Sequence, residues 1–432
     1  MTSPAPDSAV APGRAPSLFR HHDFRQVWMG DTVSVFGVEI VGFAVPIIAV
    51  TALAASEFQM GLLATAQMIA FLLIGLPAGA WVDRMRKKHV IIRGDLLRAA
   101  LLLTLPAAWM LDVLSMAQLY VVVFLVGCIT VFFDVANQSY LPEIVPPEQI
   151  SEGNAKLSAS QQTARVAGPT VAAWLVRVVG GPWAVGATAV CMGLSALFVS
   201  RVRTPSARPN PATREPLVQE IRAGLAFVVR HPLLVRIVAS TGLSNFASAV
   251  TTTLFVLFAL RELGISETDL GLLFSVMAVG GILGAVGSDR LARVVGEGRI
   301  IPFALLGAST AMVTVPLSAS VASPMPVLLV GGFLSGALIV VYNVAQVSFR
   351  QRVCPPRLLG RMNGSIRFLV WGPIPVAAFL SGVLGEAFGA LTTMWVGALL
   401  GLLSSLPVLL SPLARMRRLP RSLDALAGDR SR

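Results

Sequence analysis

The chain reads as a succession of apolar runs, each of about 20 residues or more and parted by short polar breaks. A run of that length forms a helix that crosses a hydrocarbon core of about 30 Å. Twelve runs are predicted as spans, over 27–53, 60–82, 89–111, 116–137, 156–178, 181–200, 233–259, 268–288, 300–318, 325–347, 362–385 and 389–411. They are continuous and not alternating, so they do not fit a β-barrel built of strands of about ten residues. The expected fold class is an all-α membrane protein with twelve transmembrane helices.

Polar residues sort by loop. Lys and Arg concentrate in the loops on the side of the N-terminus, while Arg177 and Arg261 lie on the other, so both termini are expected to be cytoplasmic. This divides the chain into a disordered tail over 1–18, a six-helix half over 19–200, a linker over 201–232, a second six-helix half over 233–411 and a basic tail over 412–432. The Pro-rich start of the linker (Pro205, Pro209, Pro211, Pro216) precedes Leu217 to Val229, whose helical periodicity and basic flanks fit a helix lying on the inner leaflet.

The two halves repeat each other. Gly75-x3-Gly79-x3-Asp83-Arg84 recurs as Gly280-x3-Gly284-x3-Ser288-Asp289-Arg290. Pro146-Pro147, Asn154 and Gly168-Pro169 recur in the same order as Pro355-Pro356, Asn363 and Gly372-Pro373. Halves of like orientation are parallel repeats about an axis along the membrane normal, an arrangement that places a substrate site at the midplane and works by rocking one half against the other.

Composition narrows the reading. Of 432 residues 55% are hydrophobic and 13% charged, too few charges for a soluble domain. A net charge of +12 is carried by loops of a membrane protein, so nucleic acid is not an expected partner. The cysteines, Cys128, Cys191 and Cys354, suggest no disulfide framework. His21, His22, His89 and His231 all fall at or near the cytoplasmic face, with no ligand spacing for a metal, and neither a metal nor a cofactor is expected. Lys87, Lys88 and Lys156, the only lysines, do not follow Gly, so the chain holds no phosphate-binding loop to drive transport with ATP.

These features resemble the major facilitator superfamily: six plus six spans, a basic Gly-x3-Asp-Arg loop after the second span with its echo after the eighth, and Gly-Pro in the fifth. Within it the chain is most similar to the twelve-span drug:proton antiporters, a group with macrolide efflux pumps and the enterobactin exporter. That likeness rests on Gly79-Ala-Trp-Val-Asp83-Arg84 with Asp95-Leu-Leu-Arg98, on Leu141-Pro142 with Val145-Pro146, and on Ser348-Phe-Arg350-Gln351-Arg352 with Leu359-Gly360-Arg361 and Trp371-Gly372. The resemblance implies the major facilitator fold and a conformational role for Gly79, Asp83 and Arg84, where the Asp holds the halves together at the cytoplasmic side in the outward-open state. Asp289 and Arg290 are the echo of that loop. Arg86 stands where the family's loop has Gly, and Ala172-Ala173 replaces the Gly pair that ends the antiporter motif begun by Gly168-Pro169.

A charge at the bilayer centre costs about 2.5–3.5 kcal/mol on insertion scales, so each intramembrane acid is a candidate site. Glu39 lies about 18 Å along a span starting near Val27, close to the midplane, and is the first choice for taking up and releasing a proton. Asp31 and Asp134 lie nearer the cytoplasmic end, where each suits an ion pair at a gate as well as a transported proton. Arg165 is the expected mate of Asp134. Asp95 and Arg98, three apart on one helix face, form an expected intrahelical pair that extends the loop network. Superfamily analogy places spans 1, 4, 7 and 10 around a cavity, giving Phe43, Asn245, Phe246, Tyr342, Asn343 and Gln346 as candidate lining groups.

The resulting expectation is no enzyme. It is a secondary active exporter of amphipathic drug-like or secondary-metabolite molecules by proton antiport, monomeric in membrane lipid of a bacterial cell. The alternatives are export of a siderophore or other native product, or a transport-dead sensor or assembly partner that keeps the fold.

Overall fold

The computed structural model describes residues 17–417 except 83, 147–148, 206–225, 227 and 355–358. Nearly all of the tail over 1–18, most of the linker with its amphipathic stretch, the loop residue Asp83 and the basic tail from 418 onward therefore lie outside the described residues.

The long helices are α1 (His22–Thr51), α2 (Glu57–Val82), α3 (Lys87–Met110), α4 (Met116–Ile144), α5 (Ile150–Val179), α6 (Gly181–Ser200), α7 (Pro232–Leu257), α8 (Glu267–Val295), α9 (Ile300–Met312), α10 (Pro324–Val353), α11 (Leu359–Trp371), α12 (Pro373–Phe388) and α13 (Ala390–Ser404). There are thirteen for twelve spans because the eleventh breaks at Gly372-Pro373: Pro has no N–H to give and its ring collides with the preceding turn. The ninth and twelfth spans continue in short turns, Thr314–Leu317 and Leu406–Leu409. Several helices outrun the apolar windows read from sequence, α4 by reaching Ile144 and α5 by starting at Ile150, because polar turns at their ends continue the same helix. Among the described residues, ten segments are long and apolar enough to cross a membrane by composition. The other two spans, α3 and α5, are long enough but carry charges in mid-helix.

The same packing pattern occurs twice. In the first half α1 lies against α5 and α6, α6 against α3, and α4 against α2 and α3; in the second α7 lies against α12 and α13, α13 against α9, and α10 against α8 and α9. The turns repeat too. Gly180 joins α5 to α6 at φ 83°, ψ 158°, and Gly389 joins α12 to α13 at φ 82°, ψ 160°, a backbone region open essentially to Gly alone.

Small residues set the tightest helix contacts, as expected where lipid supplies no hydrophobic drive between helices. A Cβ on Gly280 would come 2.2 Å from the Phe333 carbonyl oxygen, one on Gly284 2.2 Å from that of Ala337, and one on Gly336 2.1 Å from that of Met277. The second half of the Gly-x3-Gly repeat is thus the seam between α8 and α10. Its first-half counterpart differs: Gly75 meets only Phe71 of its own helix, and Gly127 of α4 makes the approach to α2, against Ala70 and Gln67.

Inside the first half, Asp95 and Arg98 form an ion pair of 2.5 Å with both side chains at or below 1% exposure. Arg98 also donates to Thr130 Oγ1 (3.3 Å) and lies 4.1 Å from the Phe133 ring centroid, so one guanidinium ties α3 to α4. Lys87 pairs with Glu143 (2.8 Å), and Lys88 donates to the carbonyls of Ser200 and Val202 at the end of α6, where a cation satisfies unpaired carbonyls.

The halves meet along α2 with α12 and α5 with α8. At the end remote from the termini one apolar core runs through both halves, joining Ile40, Ala44 and Ile48 of α1 and Ala173 and Val176 of α5 to Leu254, Phe258 and Leu270 of the second half. At the end that carries the termini the cores are separate, one around Phe24, Tyr140 and Val199 and another around Ile237, Phe349 and Ile366. Among the described residues the halves therefore share a core at the remote end and keep separate cores toward the termini.

Gly284→Val is expected to lower stability by about 1–3 kcal/mol or more through overpacking, read as a lowered melting temperature of the detergent-solubilised protein. Gly287→Ala, where a Cβ meets nothing within 4 Å, is expected to leave it unchanged or slightly raised. Arg98→Met leaves Asp95 charged and buried and is expected to cost about 3–5 kcal/mol in the same measurement, and adding Asp95→Leu is expected to restore most of it.

Candidate functional site

Glu39 and α5 meet at the middle of the bundle. Gly168 lies beneath the Glu39 side chain so closely that a Cβ there would come 2.6 Å from Glu39 Cβ. Arg165, one turn earlier on the same face of α5, is the cation whose field reaches Glu39. Arg165 is therefore not the mate of Asp134 that the sequence led us to expect. The reason is packing: α5 runs along α1 and α8 and has little to do with α4.

Asp134 faces a different cation. It lines a pocket of about 200 Å³ between the halves with Phe71, Gln138 and Arg367, and the charge of Arg98 acts on it more strongly than that of Arg367. The Arg367 guanidinium of α11 stands 4.9 Å from the ring centroids of both Phe71 and Trp371, so it bridges α11 to α2. Sequence reading passed over Arg367, although a cation in an apolar run was the available signal. Asp31 is buried and accepts from Asn137 Nδ2 at 2.6 Å, which joins α1 to α4.

A cavity of about 390 Å³ lies beyond Glu39 and reaches into the second half. α5 contributes Gln162, Arg165 and Val166, and the rest comes from α7, α8, the ninth span, α10 and α13. Small residues line it, among them Ser248, Gly281, Gly331, Gly332, Gly336 and Gly397. Phe255, Phe274 and Met277 make its apolar wall. Toward the remote end it is capped by an aromatic cluster in which Phe274 sits edge-on to both Phe43 (5.9 Å) and Phe255 (5.9 Å). Thr170 of α5 and Ser275 of α8 join hydroxyls across the halves beside it.

The six residues named from analogy as cavity lining take other places. Phe43 is the first half's part of the aromatic cap. Asn245 donates to the Val370 carbonyl (3.2 Å), and Phe246 packs against Ala249, Val250 and Ala377. Tyr342 is buried within the second half with its hydroxyl on Thr241 (2.6 Å), Gln346 is buried and donates to Asn343 Oδ1 (3.5 Å), and Asn343 is exposed. None of the six lines the large cavity. Phe274, Phe255 and the hydroxyls of α7 were invisible in sequence because nothing marks them among other apolar and small residues of their helices.

Of the loop residues, Gly79 lies within α2 and Asp83 outside the described residues; Arg84, Asp289 and Arg290 are exposed at the end carrying the termini. Pro169 stays inside a continuous α5, and its carbonyl together with Ala173 receives Gly271 of α8, where a Cβ would come 2.3 Å from Ala173 Cβ.

Known proteins share this architecture. The structure of the nucleoside transporter NupG superposes with a TM-score of 0.71 at 11% identity, covering 90% of this chain and 98% of that one. A bacterial homologue of the iron transporter ferroportin in an inward-facing state superposes at 0.72 and 17% identity, covering 91% and 98%. In sequence, the chain is 26% identical over 391 residues to the enterobactin exporter EntS of Escherichia coli O1:K1 / APEC, covering 89% of this chain and 87% of EntS. It is 27% identical over 372 residues to the multidrug efflux pump Tap of Mycolicibacterium fortuitum, covering 82% and 86%. The Major Facilitator Superfamily profile matches residues 27–374, and with twelve spans in two parallel repeats the chain belongs to that superfamily.

Proposed function

We propose that this protein is a secondary active exporter of drug-like or secondary-metabolite small molecules, driven by proton antiport. It resides as a monomer in the bacterial inner membrane with both termini in the cytoplasm. The observation that carries the reading is the meeting of Glu39, Gly168 and Arg165 beside a largely apolar cavity that lies at the junction of the halves. A carboxylate at that depth needs a purpose, and a proton carried between two openings supplies one. In this orientation the end with separate cores faces the cytoplasm, so the structure represents the loading state. Export follows when the seam at the remote end opens and the cytoplasmic ends come together, the step to which Asp83, Arg84, Asp289 and Arg290 belong. Asp134 and Arg367, on opposite halves, are positioned to approach or part in that movement, and Asp31 to sense it through Asn137. The names of EntS and Tap support export over uptake, and enterobactin belongs among the compounds assayed.

In inside-out vesicles energised with a proton gradient, Glu39→Gln is expected to be inserted normally but to reduce substrate accumulation to that of vesicles lacking the protein, because an amide keeps the size and cannot cycle a proton. Undiminished gradient-driven accumulation by this variant would remove Glu39 from the coupling. Topology is tested with single cysteines at positions 292 and 267, in a background without the native three, and an impermeant thiol reagent on intact cells. Labelling is expected at 267 and not at 292; the reverse would invert the second half and end the rocking scheme.

A further inference from the structure

The cavity is unequal in its chemistry. Among the described residues Arg165 is the sole ionisable side chain that lines it, and it makes no hydrogen bond or ion pair with another described residue. Glu39 senses it but is not bonded to it, being seated on Gly168 through its stem. The guanidinium lies about 22 Å along α5, near the midplane, exposed to the cavity and with no described residue bonded to its donors. A ligand that enters the cavity can therefore reach it.

Polarity changes along the cavity. Gln162 and Arg165 stand on one face of α5, and Ser244 of α7 lines the same cavity, with Ser248 one turn further toward the arm. Toward the remote end the walls are aromatic and aliphatic up to the aromatic cap, and the hydroxyls there, on Thr251, Thr252 and Thr314, are turned back onto carbonyls of their own spans. At about 390 Å³ the space suits a small organic molecule.

We propose that the cargo is an anionic amphipath, an apolar body bearing a carboxylate or sulfonate. The acid binds Arg165 with Gln162, and the body fills the arm between Phe274 and the small residues of α10. The proposal rests on the export reading for its biological sense, but the binding site itself needs no gradient. A planar fork of donors recognises an oxyanion in two places at once, so Arg165 fixes the cargo's polar end while the arm sorts by size and not by detail. A neutral or cationic analogue of the same body loses the first contact and keeps the second.

The test is equilibrium binding to detergent-purified protein, by fluorescence titration, with two probes of nearly one shape: 1-anilinonaphthalene-8-sulfonate and its neutral counterpart N-phenyl-1-naphthylamine. Wild type is expected to bind the sulfonate at least about tenfold more tightly, after subtraction of detergent binding, as a charge-assisted contact implies. Arg165→Gln is expected to abolish that preference while leaving the neutral probe's affinity unchanged, and Arg165→Lys to retain part of it. Ser248→Trp, which fills the arm, is expected to weaken both probes alike. Should Arg165→Gln not fold, the wild-type preference and the Ser248→Trp result still decide the matter. Equal affinities of the two probes for wild type, a preference for the neutral probe, or sulfonate binding indifferent to Arg165→Gln would each overturn the proposal. Because no gradient is present, loss of proton coupling in vesicles with the probe preference intact would sink the antiport reading and leave this one standing.

Discussion

Two pairs of helices approach until backbone touches backbone, and the arrangement of both halves depends on it. Gly61 of α2 meets Gly382 of α12 so closely that a Cβ would come 2.5 Å from the opposing Cα, and Gly271 of α8 lies on Pro169 and Ala173 of α5. Lipid chains are as apolar as the side chains they would displace, so in a membrane such contacts are held by close packing and a few polar links. The links are present at the same place: Thr65 donates to the Pro375 carbonyl, the Phe58 N–H to Glu386, and Arg261 to the Val50 carbonyl. Smooth surfaces joined by weak contacts separate at less cost than a seam of interlocked large side chains, although at this end they flank the core that both halves share.

The halves divide the labour unequally. The first half holds the span acids Asp31, Glu39, Asp95 and Asp134, and spends one of them, Asp95, on an internal ion pair that hardens the half into a rigid body. The second half holds the space. Its glycines and alanines bring α8 against α10 and leave room elsewhere, so the cavity is a consequence of the residues that make the tightest seam. Charge and space meet only where α5, a helix of the first half, lies along α8. That one contact places Arg165 in a cavity built by the other half.

Rigid bodies and a thin seam also explain the asymmetry between ends. The remote end shares a core, while the other has two, each with its own aromatic centre, so parting the ends that carry the termini exposes little that was jointly buried. The aromatic cap of Phe43, Phe255 and Phe274 sits at the boundary between the shared core and the cavity.

Sequence alone determined the span number, the parallel repeat and the family, because each is a property of many residues read together: apolar length against bilayer thickness, Lys and Arg against loop side, Gly and Pro spacing against its own echo. It also marked Glu39, since a carboxylate in an apolar run is conspicuous without any fold. Partners were another matter. The expected pairing of Arg165 with Asp134 failed because helix neighbours are set by bundle packing, and the six analogical lining residues lie elsewhere because their helix faces follow from tilt and rotation that no periodicity encodes when every face is apolar. The glycine pair of the second repeat looked like a loop motif and is a helix seam, while in the first half Gly127, not Gly75, makes the close approach between α2 and α4. Tertiary structure decided these points for one physical reason: in a membrane helix that is hydrophobic all round, only contact with its neighbours tells the inside from the outside.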